Sequence, residues 1–143
     1  MASIFDVAEY ILKKKGPMTA MKLQKLVYYA QAWHAVWEER PLFDSRIEAW
    51  ANGPVAPKLY KRHKGVFLLE SGCFSGNPNA LTAVEKDTIG RILSFYGDKN
   101  PQWLSDLTHL EDPWILARKG LAKRDVGNQE ITLESMMEYY SGL

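Results

Sequence analysis

From residue 23 to 37 the chain reads LQKLVYYAQAWHAVW, and few positions in it are plainly solvent-loving. Leu23, Leu26, Val27, Ala30, His34 and Trp37 recur at helical spacing on one stripe. Lys22, Lys25 and Tyr29 share a second stripe, and Tyr28, Gln31 and Ala35 a third. A helix that is apolar on most of its faces is packed on most of its faces. The pattern therefore predicts a central helix, with Thr19 placed to cap it. Tyr28 and Tyr29 point about 100° apart on such a helix, so one is expected in the core and the other, Tyr29 first, toward a partner.

The same periodicity repeats in shorter pieces. Ser3 and Asp6 have capping-box spacing before Ile4, Ala8, Ile11 and Leu12, and Lys13–Lys15 then Gly16-Pro17 end that helix. RIEAWA alternates Ile47, Ala49 and Ala51 against Arg46, Glu48 and Trp50, enough for one short strand. In NGPVAP, Gly53 is free to take φ > 0 and Pro54 fixes φ, which reads as a turn into the next helix. PKLYKRHK predicts a short helix ending at Gly65, and ESGCFSGNPNA a loop or loose hairpin able to pair with RIEAWA. Thr82 with Glu85, Asn100-Pro101, Asp112-Pro113 and Thr132 open four more helices. The sum is a mainly α, compact single-domain bundle of about six or seven helices with a small two- or three-stranded β element, without an evident linker over 1–143.

Composition narrows function by exclusion. With 18 basic and 17 acidic side chains, nothing drives the whole chain toward nucleic acid or an anionic membrane. No apolar run is long enough for a membrane span, and the N-terminal basic run follows the apolar residues, the wrong order for a signal peptide. One cysteine, Cys73, rules out an intrachain disulfide and points to a reducing, cytoplasmic setting.

Candidate chemistry is sparse. His34, His63 and His109 lack metal-pair spacing, and no cofactor loop is present, so neither metal nor cofactor is expected. His34 and His109 were free to meet in space by sequence alone, and His109 lies near Asp106, Glu111 and Asp112, the raw material of acid–base catalysis without a nucleophile. Two basic clusters stand out: Lys58, Lys61, Arg62, His63 and Lys64, with Tyr60 interleaved, and Arg118, Lys119, Lys123 and Arg124. Either suits phosphate or an acidic protein surface. Helix-turn-helix geometry does not suit the chain, because the second helix is too long and too apolar to present polar residues to a groove.

MTAMKLQKLVYYAQAWHAVWEERPLFDSRIEAWANGPVAPKLY, at 18–60, and LSDLTHLEDPWILAR, at 104–118, together resemble the signature of the Panacea domain. That family comprises SocA-like antitoxins and phage-associated GepA-like proteins. The resemblance implies a mainly helical fold with a small β element and a non-enzymatic protein that neutralises a cognate toxin by direct contact. Some family members act as adaptors that deliver the toxin to a cytosolic protease. On this reading Leu23, Lys25, Leu26, His34, Trp50, Gly53, Pro54, Thr108, His109, Pro113 and Trp114 are motif residues that build the scaffold. Tyr28, Tyr29, Tyr60, Lys58, Lys61 and Arg62 are the candidate partner contacts. A nucleic-acid-associated regulator using the basic clusters is the alternative.

Overall fold

The computed structural model describes all 143 residues. Seven helices follow from local signals. α1 (Ile4–Lys15) starts on the Ser3–Asp6 capping box, in which Phe5 N donates to Ser3 Oγ and Ser3 N to Asp6 Oδ2. α2 (Ala20–Glu38) is capped by Thr19, whose Oγ1 accepts from Lys22 N at 3.2 Å. α3 (Pro57–His63) opens on proline, and its last turn carries Lys61 and Arg62, where cations meet the negative helix end. α4 (Ala83–Tyr96), α5 (Pro101–Thr108), α6 (Asp112–Ala117) and α7 (Leu133–Tyr140) complete the set.

α2 occupies the centre. Every residue from Leu23 to Ala32 is buried, because α1, α4, α5, α7 and the β element after residue 47 pack around it. One contiguous core joins α2 to Val7, Ile11, Phe43, Ile89, Ile92, Leu104 and Tyr140. Such burial leaves Gln24, Lys25 and Gln31 little access to water. Gln31 illustrates the consequence: its Nε2 donates to Phe43 O, while its Oε1 accepts from Leu42 N and Phe43 N.

The β structure differs from the expectation in two ways. β2 (Glu48–Trp50) pairs antiparallel with β3 (Gly53–Val55), not with the ESGCF loop, in the register Glu48↔Val55, Ala49↔Pro54 and Trp50↔Gly53. Gly53 and Pro54 therefore form the returning strand of a tight hairpin before α3 begins. A second two-stranded sheet joins β1 (Met18–Thr19) to β4 (Leu68–Leu69). So the β element is two separate pairs. Loop 129–131 runs along the open edge of β2, with Ala49 N donating to Gln129 O and Ile131 N to Ile47 O, both at 2.8 Å.

Candidate binding site

The two motif blocks converge on the β2–β3 hairpin, and side chains hold its backbone down. Arg118 Nη1 donates to Ala49 O at 2.8 Å and Trp114 Nε1 to Trp50 O at 2.8 Å. His109 Nε2 meets Ala51 O at 2.8 Å, and Ser105 Oγ donates to Asn52 O at 2.7 Å. Lys25 Nζ donates to Pro54 O at 3.1 Å, and Gln24 Nε2 to Ala56 O at 3.3 Å. Four carbonyls in a row, Ala49 to Asn52, and two more at Pro54 and Ala56 meet side chains from α2, α5, α6 and the residues that end α5 and α6. A hairpin this short is marginal alone. Here side-chain donors reach its carbonyls from Ala49 to Asn52 and at Pro54.

Gly53 is required by this packing. Its φ is +116°, and a Cβ there would lie 2.5 Å from Lys25 Cε and 2.9 Å from Thr108 Oγ1. Lys25 is fully buried with no carboxylate bonded to it, and burial lowers its amine to about 7. Thr108 bonds the Ser105 carbonyl at 2.6 Å.

The three histidines do not meet. His34 is buried, its Nδ1 is 2.8 Å from Thr88 Oγ1, and burial lowers its pKa. His63 Nε2 accepts from Gln24 Nε2 at 3.0 Å, an orientation fixed because Gln24 Oε1 already accepts from Ala56 N at 2.9 Å. Burial also lowers the pKa of His63. His109 has carbonyl oxygens at both ring nitrogens, Ser105 O at 2.6 Å and Ala51 O at 2.8 Å, and Trp114 packs edge-on against its ring. It bonds neither Asp106 nor Glu111, so the arrangement is a strut, not an acid–base pair.

Tyr28 and Tyr29 are the main correction among the candidate contacts. Both are buried, because α7, beyond the second motif block, closes over the face that sequence left open. Tyr29 stacks on Tyr96 with ring centroids 4.2 Å apart and donates to Glu111 Oε1 at 2.7 Å. Tyr140 from α7 donates to the same oxygen at 2.8 Å and lies 3.0 Å from the Tyr28 hydroxyl. Burial raises the carboxyl pKa of Glu111, while the two phenol donors work in the opposite direction. Burial pushes the Tyr96 phenol up to about 12 and raises Tyr28, Tyr29 and Tyr140 as well.

The basic clusters separate. Arg118 is buried, its guanidinium spent on Ala49 O, Ala122 O and Asp125 O, so it is not free for phosphate. Lys58 and Lys61 on α3 are exposed. Arg62 is exposed but lies over the Phe5 ring, 4.3 Å from its centroid. Tyr60 is half-buried and meets Trp50 edge-on at 4.9 Å. Tyr60, Trp50, Gln24, Asn52 and His63 line a cleft of about 460 Å³ beside the hairpin. Of the candidate contacts only Tyr60 lines this cleft; Lys58 reaches over the Phe5 ring beside Arg62, Lys61 is exposed on α3, and Tyr28 and Tyr29 lie in the core.

Gln24, Ser105, Arg118 and Tyr140 carry bonds that sequence reading did not assign. The available signal was the polar residues inside an otherwise apolar helix, since Gln24, Lys25 and Gln31 must find partners if α2 is buried.

The fold is a mainly helical domain in which buried side chains of both motif blocks brace one short hairpin. Residues 23–115, well over half of the chain, match the family described as "Antitoxin SocA-like, Panacea domain", and the chain belongs to that family. It is also similar to Antitoxin SocA of Caulobacter vibrioides (strain NA1000 / CB15N), 34% identical over 93 residues. That match takes in 60% of this chain and 44% of the relative, so the chain spans less than half the relative's length. No solved structure matches the chain. No helix is long and apolar enough to cross a membrane.

Proposed function

We propose that the chain is an antitoxin-like, non-enzymatic binding module of the cytoplasm that neutralises a cognate protein toxin by direct contact. The proposed docking surface is the mouth of the hairpin cleft together with the outer face of α3. One observation supports this reading: α3 sets Tyr60 against Trp50 at the cleft and leaves Lys58 and Lys61 exposed, while side-chain donors brace the backbone carbonyls from Ala49 to Ala56. A braced surface loses little conformational freedom on binding, and exposed cations suit an acidic partner segment. The motif residues then act as scaffold, which lets one fold serve different toxins through its exposed positions.

The test is co-expression with the product of the adjacent gene. Rescue of growth and co-purification of the two proteins support the reading, and growth arrest with no complex sinks it. Following the toxin's half-life in the same cells separates direct neutralisation, with a stable toxin, from delivery to a protease, with a toxin that disappears. A nucleic-acid role, the rival use of the α3 lysines, requires binding to duplex DNA that weakens steeply with salt.

A further inference from the structure

Beside the C-terminal half of α2, a second cleft of about 600 Å³ opens between α2, α4 and α5. Its walls are almost wholly apolar and unusually aromatic: Trp33, Trp37, Phe95, Tyr96 and Trp103 line it. Trp37, Phe95 and Trp103 are 37%, 67% and 40% exposed, so three large aromatic side chains stand in solvent around one opening. Exposed aromatic groups clustered around a concavity mark an interaction site.

One carboxylate, Glu111, belongs to the same wall. The residue is 5% exposed. Its Oε1 accepts hydrogen bonds from the Tyr29 and Tyr140 hydroxyls. Its Oε2 takes no hydrogen bond from the protein, and it is not sealed off from solvent. A carboxylate oxygen without a donor, set in an apolar wall, is an electrostatic vacancy for a cation. The rings supply the rest, because aromatic faces attract ammonium and guanidinium groups. Two rim rings already do so within the chain: Arg91 lies over Trp37 at 5.2 Å and Lys99 over Trp103 at 4.8 Å. Arg91 is itself paired with Asp87 at 3.2 Å, which reduces its repulsion of an incoming cation.

We propose that this cleft is an aromatic cage for one basic side chain, a lysine or arginine presented by a partner protein, with Glu111 as its counter-charge. The site does not depend on the toxin-binding reading, and its chemistry is the reverse of the α3 face: one surface offers cations, the other receives one.

The probes are N-acetyl-arginine methylamide and N-acetyl-lysine methylamide, with N-acetyl-norleucine methylamide as the uncharged counterpart of similar length. Indole N–H signals of the full chain are followed during titration. The basic probes should shift the Trp33, Trp37 and Trp103 signals saturably, with Trp50 and Trp114 unmoved, and bind at least about fivefold tighter than norleucine. Glu111→Gln should lose that preference while keeping the weaker apolar binding. If Glu111→Gln does not fold, Trp103→Ala at its exposed position takes its place and should weaken the basic probes about fivefold or more. Equal affinity for norleucine and the basic probes, absence of saturable shifts, or retention of full binding by Trp103→Ala each overturns the proposal.

Discussion

Two buried ionisable groups beside α2, Lys25 and Glu111, are accommodated in opposite ways. Lys25 has a single bond, to a backbone carbonyl, and no counter-ion, so burial drives its amine down to about 7. Glu111 has two phenol donors on one oxygen and an open second oxygen. The lysine belongs to a closed structural joint, where its stem fills the space beside Gly53 and its head holds Pro54. The carboxylate belongs to a joint that is open on one side. A buried charge that is fully enclosed and uncompensated sheds its charge, whereas one that keeps donors and a free face retains a use for it.

The largest expected break is on the Glu111 side. Tyr29→Ala removes a stacked ring and one phenol donor and should cost about 3–5 kcal/mol in chemical denaturation. A loss below about 1 kcal/mol would return Tyr29 to the surface. On the Lys25 side, Gly53→Ala forces a Cβ against Lys25 Cε at 2.5 Å and strains a residue at φ +116°. It should cost roughly 1–3 kcal/mol. Lys25→Ala in the same chain should recover part of that loss, and strict additivity of the two substitutions would show that they do not touch.

A third effect separates the two joints by pH. Lys25 holds its proton below about 7 when folded and up to its ordinary 10.5 when unfolded. Between those values the unfolded chain binds more protons at this site, so raising pH favours folding by on the order of 1 kcal/mol per unit. The Lys25→Met protein lacks this contribution, and its stability curve should be flatter than wild type from pH 7 upward. Parallel curves would place Lys25 in water. Glu111 contributes in the other direction, because a carboxyl raised by burial favours the folded state less as pH climbs through its range.

The helices were legible in the sequence because their signals are local. Ser3–Asp6 and Thr82–Glu85 declare their caps within three residues, and both capping boxes form. The pairings were not. β1 meets β4 across some fifty residues of chain, and nothing in Met18-Thr19 or Leu68-Leu69 announces the other. Tyr28 and Tyr29 were misread for the same reason: whether α2 has an outer face depends on where α7 lands, and α7 follows a long irregular stretch. The motifs marked Trp114, His109 and Lys25 as scaffold, but the hairpin carbonyls that each one holds are legible only in three dimensions.

The smallest expected effect on folding is also the most direct test of the account. Lys58→Glu with Lys61→Glu changes two exposed side chains and should shift stability by less than about 0.5 kcal/mol. The affinity of this variant for the toxin, measured by calorimetry beside the wild-type chain, tests whether the braced hairpin and α3 form the docking face. The account predicts a loss of at least about tenfold, larger at low salt than at high salt. Unchanged affinity in the folded variant would contradict it.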